Sequence, residues 1–295
     1  MVATKTDAPR TDLEPLRREF AERGTTVARG MFSPNEVERL KSHYMAMRAS
    51  GSFPGDDPGI DLGTLAGNAT DPLKKYPRLI HMHRWDELSM EWLTDPRLNE
   101  AITAITGHEP LAVQTMLYFK PAGARGQALH QDNFYLNVKG STCIAAWLAL
   151  DDCDEENGCM MTVPGSQDLP ILCITKADVK ASFTDVTVPI PEGMAVEPCL
   201  MRAGDVLFFN GSLIHGSYPN TSEDRFRRSL IGHYMVGDGQ AIGEWYRPVY
   251  DMRGNEVEVE VNPGGSKCGV WTEIDGAPVV ELVEKDSVNR KTYRE

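Results

Sequence analysis

The chain has 295 residues, of which 41% are hydrophobic and 25% are charged, the composition of an ordinary folded protein. A formal net charge of −13 excludes the basic face that binding to nucleic acid or an anionic membrane requires. We therefore expect a small-molecule substrate as partner, with no nucleic acid and no membrane, while the oligomeric state stays open.

The six cysteines include no C-x-x-C pair, and a chain of this length does not depend on disulfide bonds for its stability. Residues 1–10 are polar, and no apolar run in the sequence is long enough to span a membrane. We expect a soluble, cytoplasmic protein with reduced thiols, built as a single domain over residues 1–295.

Helices dominate the first part of the predicted domain, about residues 12–108. Leu13, Leu16 and Phe20 have helical spacing in a segment that Gly24 ends, and a strand is predicted over 25–32. The sequence Ser33-Pro34-Asn35-Glu36 then combines an N-cap, a proline and a glutamate three residues after the cap, which predicts the start of a helix.

The middle of this helical part contains a segment rich in Gly, Pro and Asp, residues 51–77, which we interpret as a long loop and a candidate lid over a pocket. Beyond it, helices are predicted through Met90, Trp92 and Leu93, and from Arg97 to Thr106.

From residue 111 the chain changes to short apolar runs separated by turn residues. Strands are predicted over 113–119, 129–136, 143–150, 158–163, 195–200, 205–209, 213–218 and 228–236. This pattern indicates a mainly β fold with flanking helices. Its core, about residues 111–236, would be a double-stranded β-helix, the cupin-like jelly roll, followed by a C-terminal extension over 237–295.

Two of the predicted strands carry candidate metal ligands. On an extended strand, residues two apart point to the same face, so His130 and Asp132 would converge. His215 lies on a separate predicted strand and would complete a triad of two histidines and one carboxylate, which leaves one face of an octahedral metal open. The acidic run 151–158 lacks the ligand spacing of a calcium loop and is predicted to be a solvated turn.

Downstream of His215, Arg227 and Arg228 stand at the start of the next predicted strand. An arginine there could hold a carboxylate with two hydrogen bonds. Because adjacent strand residues face opposite sides, only one of the two can point inward, and the sequence leaves both as candidates.

Several motifs between residues 120 and 234 occur together and in a fixed order. They are Lys120-Pro121, His130-Gln131-Asp132, Ala146-Trp147, Asn157-Gly158-Cys159, Pro164-Gly165-Ser166, His215-Gly216-Ser217 and Asn220 through Arg228. With them, the chain from about residue 12 to residue 234 resembles the phytanoyl-CoA dioxygenase family of Fe(II)- and 2-oxoglutarate-dependent oxygenases.

The resemblance implies that His130, Asp132 and His215 bind Fe(II), that 2-oxoglutarate is the co-substrate and that O2 is the oxidant. By the same resemblance Arg227 binds the distal carboxylate of 2-oxoglutarate, although its separation from His215 is one residue longer than is usual, so Arg228 remains the alternative. Lys120, Trp147 and Ser217 match positions that line the co-substrate pocket, and Gln114 could share the inward face of the strand that leads to Lys120.

The function implied is oxidation of a C–H bond in a small-molecule metabolite, with release of succinate and CO2 and a preferred place in secondary metabolism. Asp132 favours hydroxylation, since halogenating relatives lack this carboxylate. Asn133, Phe134 and Tyr135 follow the metal motif and are candidate substrate contacts. Two alternatives remain: a cupin-like metalloenzyme that does not use 2-oxoglutarate, and a non-catalytic binding protein on the same fold.

Overall fold

A computed structural model describes residues 13–50, 71–237, 239–264, 267–274 and 277–283. Residues 51–70 of the predicted lid lie outside the described residues, whereas Pro72–Lys75, near its end, is helical. None of the helices in the described part of the chain is both long and apolar enough to cross a membrane.

The helices lie mostly in the first part of the chain, as predicted. In chain order they are α1 (Leu13–Arg23), α2 (Pro34–Ser50), α3 (Pro72–Lys75), α4 (Glu87–Leu93), α5 (Pro96–Thr106) and α6 (Asn133–Leu136). The predicted start of α2 is confirmed, because the backbone N–H and the hydroxyl of Ser33 both donate to the Glu36 carboxylate, at 2.8 and 2.7 Å.

The strands occupy the second part of the chain, together with short segments before and after it. In chain order they are β1 (Thr25–Ala28), β2 (Leu79–Ile80), β3 (Leu111–Tyr118), β4 (Gln127–His130), β5 (Cys143–Ala149), β6 (Met160–Thr162), β7 (Thr175–Lys176), β8 (Val186–Thr187), β9 (Glu197–Cys199), β10 (Val206–Asn210), β11 (His215–Ser217), β12 (Ser229–Met235), β13 (Ala241–Ile242), β14 (Val249–Tyr250), β15 (Glu256–Val257), β16 (Glu260–Val261), β17 (Cys268–Ile274) and β18 (Ala277–Val283).

Two antiparallel sheets face each other and form the jelly roll that the sequence predicts. The larger sheet has the order β1-β10-β5-β12-β3-β14-β15, with β2 paired to β3, and the smaller has the order β4-β11-β6-β9. Non-consecutive strands are neighbours in both sheets, as in Greek-key connections. Each of the eight ranges predicted for the core overlaps a strand of the structure.

The larger sheet is buried on both faces. On its outer face Leu117 and Phe119 pack with buried side chains of the N-terminal helices, such as Leu98 and Ile102, which is the predicted position of those helices. On the inner face the alternate residues, among them Met116, line the space between the sheets. Polar groups that point into this space are therefore shielded from water on both sides.

The strand predicted over 129–136 is wrong in its second half. β4 ends at His130, and Asp132 has helical backbone angles (φ −61°, ψ −35°) at the start of α6. Asn133, Phe134 and Tyr135 therefore lie in a helical turn, because the backbone N–H groups of Tyr135 and Leu136 donate to the Asp132 carbonyl. The strand predicted over 25–32 is also shorter, ending at Ala28.

The expectation that all six cysteines are reduced is wrong. Cys173 and Cys268 form a disulfide bond between residues 95 positions apart, with their Cα atoms 4.9 Å apart. The reason is that β17 lies alongside the segment before Cys173: the Gly269 N–H donates to the Ile171 carbonyl, and the Cys173 N–H donates to the Gly269 carbonyl. Cys143, Cys153, Cys159 and Cys199 are free thiols.

Candidate metal centre and anion pocket

The three predicted metal ligands converge between the two sheets. His130 ends β4, His215 begins β11, and the two residues are directly opposite in the antiparallel register. Asp132 is brought to them by the turn that starts α6, so that its Oδ1 lies 3.4 Å from His130 Nε2 and 3.5 Å from His215 Nε2. Within the described residues, this is the one group of three such side chains close enough to hold a metal ion.

Hydrogen bonds around the triad fix which atoms face inward. Nδ1 of His130 lies 2.9 Å from the Ala128 carbonyl oxygen, and Nδ1 of His215 lies 2.9 Å from the Leu213 carbonyl oxygen. A carbonyl can only accept, so both Nδ1 atoms carry the proton and both Nε2 atoms present a lone pair. This arrangement is typical of metal-binding histidines, whose second nitrogen is held by the protein.

Charge at the triad suits a cation. Burial lowers the pKa of His130, and the neighbouring His215 lowers it further, which favours the neutral imidazole. Burial alone would raise the pKa of Asp132, but His215 and His233 outweigh it and hold that pKa well below its ordinary value. Neutral imidazoles and an ionised carboxylate are the forms that bind a metal.

A second polar group, Lys120 and Arg227, lies between the sheets near the smaller sheet's strands. The side chains are 3% and 2% exposed. Lys120 Nζ donates to Ser217 Oγ at 2.8 Å and to the Tyr218 carbonyl, while Arg227 Nε donates to the Gly158 carbonyl at 3.0 Å. All these acceptors are uncharged. In the part of the chain that the structure describes, neither cation forms an ion pair with a carboxylate.

Two further features of Lys120 and Arg227 favour the binding of an anion between them. Burial and the charge of Arg227 hold the pKa of Lys120 well below its ordinary value, and burial also lowers the pKa of Arg227. The Arg227 guanidinium lies 5.1 Å from the centre of the Trp147 ring, and its Nη1 donates to Ser229 Oγ at 2.9 Å. An anion placed here would relieve the repulsion between the two cations.

The backbone at Lys120 has a strained conformation, and its side chain is buried between the sheets. Its φ of 37° lies in the left-handed region that non-glycine residues rarely adopt. The conformation is held from two sides, because the Asn220 side-chain amide and the Arg227 N–H both donate to the Lys120 carbonyl, at 3.0 and 3.1 Å. Strain of this kind, roughly 1–3 kcal/mol, is found mainly at functional sites.

Gly158 is required where the turn after Asp154 meets the pocket. Its φ is +84°, and a Cβ at this position would lie 2.6 Å from the Tyr218 carbonyl oxygen. The absence of a side chain lets the Gly158 carbonyl approach Arg227 and Lys120 together. The turn itself is closed by Asn157 and Asp154, whose side chains accept each other's backbone N–H groups.

Arg228 has a different environment from Arg227. Its Nε and Nη2 donate to the two carboxylate oxygens of Asp151, both at 2.8 Å, and its backbone N–H donates to the same carboxylate. In the segment that leads into β12 the two adjacent side chains point to opposite sides: Arg227 points between the sheets, and Arg228 points away from them.

The remaining predicted residues are spread around the triad. Gln114 is buried on β3 opposite His233, whose side chain contacts Asp132, so it lies nearer the metal end than Lys120 does. Asn133 Oδ1 accepts from the Val138 N–H and serves its own turn. The Tyr135 ring lies 6.2 Å from His130 and 5.1 Å from Phe134.

Three residues outside the predicted set of site residues touch this region. His233 Nε2 lies 3.0 Å from Asp132 Oδ2, Ser229 contacts Arg227, and Gln127 Nε2 lies 3.1 Å from His130 Nε2. Alternation along β12 places His233, Ser229 and Arg227 on one face, so two of these could have been found from strand parity. Gln127 could not, because it lies an odd number of residues from His130.

Comparison with known proteins identifies relatives along most of the chain. Residues 20–229 match the family profile described as Phytanoyl-CoA dioxygenase (PhyH). Phytanoyl-CoA dioxygenase 1 of Oryza sativa subsp. japonica is 28% identical over 54% of this chain and 56% of its own length. The peroxisomal phytanoyl-CoA dioxygenase of Rattus norvegicus is 25% identical over 77% of this chain and 69% of its own length.

Among solved structures, the epimerase SnoN, in complex with Fe3+, alpha ketoglutarate (2-oxoglutarate) and nogalamycin RO, superposes with a TM-score of 0.60. It is 23% identical over 76% of this chain and 83% of that one. At this identity the similarity supports the jelly-roll fold. With the family profile covering most of the chain, we conclude that this protein belongs to the phytanoyl-CoA dioxygenase family of non-haem iron and 2-oxoglutarate-dependent dioxygenases.

Proposed function

We propose that the protein oxidises a C–H bond of a small-molecule metabolite, using Fe(II) bound by His130, Asp132 and His215 and 2-oxoglutarate as co-substrate. The observation that carries the proposal is the pair of buried cations, Lys120 and Arg227, which have no acidic partner among the described residues and lie in the same interior as the triad. A metal centre and an anion pocket in one barrel match the two ends of a chelating dicarboxylate.

The residues of the triad fit an iron ion. Two Nε2 lone pairs and one carboxylate oxygen converge, and this set of three would occupy one face of an octahedron. When bound, iron would activate O2, the oxidant, with 2-oxoglutarate as the co-reductant that is converted to succinate and CO2. The Asp132 carboxylate also contacts His233, so its orientation is fixed before any metal arrives.

Arg227, rather than Arg228, is the proposed anchor for the distal carboxylate. Arg227 points between the sheets, where the acceptors found among the described residues are neutral, whereas the guanidinium of Arg228 is already paired with Asp151. Lys120 would add a second charge to the same carboxylate, and Ser217 would orient Lys120 through the hydroxyl that accepts from Nζ. Trp147 would form the floor of the pocket beneath the guanidinium.

Apolar side chains around the pocket would exclude water and strengthen these interactions. Met116, Leu207, Leu213 and Ile231 are buried in one cluster with Trp147 on the inner side of the larger sheet. Phe209 also belongs to it, with its ring 4.4 Å from that of His215. In such surroundings a charge-assisted hydrogen bond is stronger than in water, so positioning of the co-substrate would be tight.

The proposed substrate is a mid-sized metabolite, and a role in secondary metabolism is our preferred assignment. An acyl-CoA is disfavoured by the net charge of −13, since its phosphates require a basic surface. The structure of SnoN holds nogalamycin RO, so a protein of this fold accommodates a small-molecule substrate of that kind. Tyr135, beside His130, and Phe134 are the proposed aromatic contacts to the substrate.

The test is succinate formation by the Fe(II)-loaded protein with 2-oxoglutarate and O2, in the absence of substrate. We expect slow turnover in the wild type and a loss of at least about 100-fold in His130→Ala and Asp132→Ala, because each removes a metal ligand. The control is His108→Ala, which alters an exposed histidine and should retain full turnover. No succinate from folded, iron-loaded wild type, or equal turnover in all four proteins, would contradict the proposal.

A further inference from the structure

A disulfide bond attaches the C-terminal hairpin of β17 and β18 to the jelly roll. The two strands pair with each other and belong to neither of the two facing sheets. Cys268 in β17 is bonded to Cys173, and Gly269 forms backbone hydrogen bonds of 2.8 and 2.9 Å with the segment 171–173. A two-stranded hairpin is only marginally stable by itself, so its position depends on attachments of this kind.

The segment that the hairpin holds, residues 170–173, is hydrogen-bonded to the metal-binding motif. Gln131 lies between two of the metal ligands in the chain and is 1% exposed. Its Oε1 accepts from the Leu172 N–H at 2.7 Å, while its Nε2 donates to the carbonyls of Ser212 and Pro170, at 2.7 and 3.3 Å. Displacement of the segment would remove the hydrogen bond that Oε1 accepts, and a buried amide oxygen without one is unfavourable.

The same segment packs beside the two histidines of the triad. Leu172 is buried in one apolar cluster with Leu129 and Ile214, the residues that directly precede the two ligand histidines. Val280 of β18 packs against this cluster, and β17 approaches it so closely that a Cβ at Gly269 would lie 3.2 Å from Leu172 Cδ2. The hairpin therefore contacts the apolar cluster that supports both histidines.

We propose that the disulfide between Cys173 and Cys268 is a redox switch for the metal centre, an inference that rests on the metal site of the proposed function. A dithiol reductant would break the S–S bond: the two sulfurs take up two electrons and two protons and become thiols, and the dithiol is oxidised to its own disulfide. The hairpin is then no longer tied across 95 residues of chain and can leave the segment 170–173. Gln131 loses the Leu172 N–H, and the turn between the ligands is held less firmly.

Local opening of the hairpin would give a reductant access to the bond. Cys173 and Cys268 are each 6% exposed, whereas Val270 and Leu282 on the hairpin are 41% and 53% exposed. The bond is therefore covered by an element that itself faces solvent. Opening of such an element exposes the sulfurs without unfolding the jelly roll.

The free thiols are poorly suited to replace either partner of the disulfide. Burial raises the pKa of Cys159 to about 12 and that of Cys199 to about 11. The thiolate is the form that attacks a disulfide, so both groups are unreactive near neutral pH. Thiol exchange is thus directed to Cys173 and Cys268.

The experiment measures Fe(II) binding to the full chain in both redox states by anaerobic calorimetric titration. The protein is reduced with dithiothreitol, which is removed before the titration, and the denatured protein should then contain six thiols in place of four. We expect the dissociation constant for Fe(II) to rise at least about tenfold on reduction and to recover on reoxidation. Cys268→Ser should bind Fe(II) as weakly as the reduced wild type in either state. Cys199→Ser is the matched control and should respond to reduction as the wild type does.

The affinity for Fe(II) separates a switch from a purely structural disulfide. If the bond only stabilises the fold, reduction should lower the urea concentration at the unfolding midpoint and change the Fe(II) affinity by less than about threefold. That result would overturn the proposal, as would global unfolding of the reduced protein seen by circular dichroism. If the oxidised wild type binds no Fe(II), the proposed function fails instead.

A second variant tests the route through Gln131. Gln131→Ala should weaken Fe(II) binding in the oxidised protein, and reduction should then weaken it by less than about a further threefold, because the coupling has already been removed. An undiminished response to reduction in Gln131→Ala would contradict this route and overturn the proposal as stated.

Discussion

Two adjacent arginines immediately before β12, Arg227 and Arg228, differ in burial and in hydrogen-bond partners. Arg227 is 2% exposed, and within the described part of the chain its side chain donates only to neutral oxygens, those of Gly158 and Ser229. Arg228 lies on the other side of the strand and forms two hydrogen bonds of 2.8 Å with the Asp151 carboxylate. An arginine is thus buried at position 227 without a counter-ion among the described residues, whereas the arginine at position 228 is neutralised by Asp151.

The two sides of the segment 225–228 hold their charged groups in different ways. On the outer side Arg225 resembles Arg228, since it pairs with Asp154 and Glu156, and these ion pairs connect β12 to the turn before Gly158. On the inner side Lys120 resembles Arg227 in lacking an acidic partner among the described residues. Burying charge without compensation is unfavourable, so the inner pair is expected to be completed by a bound anion.

Among the substitutions that test this difference, Arg227→Met is expected to have the largest effect on the use of 2-oxoglutarate. We predict that the KM for 2-oxoglutarate rises at least about 100-fold, because a buried charge that pairs with the distal carboxylate is lost. Arg228→Met is the matched control and should change this KM by less than about threefold. Turnover of 2-oxoglutarate measured over a range of concentrations distinguishes the two, and the reverse pattern would move the anchor to Arg228.

A smaller effect, about tenfold on the same KM, is expected from Lys120→Met, because Arg227 remains to hold the carboxylate. Since burial and the charge of Arg227 lower the pKa of Lys120, the ammonium loses its proton as the pH rises, while a bound anion stabilises the charged form.

The affinity of the wild type for 2-oxoglutarate should therefore fall as the pH rises toward the ordinary range of a lysine pKa, and this fall should be absent in Lys120→Met. Calorimetric titrations at several pH values provide the measurement. An identical pH dependence in both proteins would show that Lys120 does not face the co-substrate.

The smallest effect concerns stability on the outer side. Arg228→Met leaves the Asp151 carboxylate, which is 17% exposed, without its partner and should lower the free energy of unfolding by about 1–2 kcal/mol. Arg225→Met should cost no more than about 1 kcal/mol, because that pair is exposed to solvent. Urea denaturation checks both values. A loss from Arg225→Met as large as that from Arg228→Met would contradict the ranking.

Much of the fold followed from local patterns in the sequence. Alternation and turn residues located the strands of the jelly roll, and the capping sequence at Ser33 located the start of α2. Three candidate metal ligands came together because two neighbouring strands carry two of them. The choice between Arg227 and Arg228 stayed open in the sequence, since it depends on how β12 is seated against its neighbours.

The parts that could not be predicted depend on distant partners. The disulfide joins Cys173 to Cys268, and only the placement of β17 beside residues 171–173 brings them together. Asp132 reaches the triad from a helical turn and not from the extended strand that the sequence suggested. Gln127 is aimed by a bulge that arises from pairing with β11, which no local pattern in β4 reveals.

The most direct test of the account compares two ligands on the wild-type protein. With Fe(II) bound under anaerobic conditions, 2-oxoglutarate is titrated against 2-oxopentanoate, which has the same carbon chain and the same chelating end but no distal carboxylate. If Lys120 and Arg227 form the pocket for that carboxylate, 2-oxoglutarate should bind at least about 100-fold more tightly. Equal affinity for the two acids would contradict the assignment of the buried cations to the co-substrate.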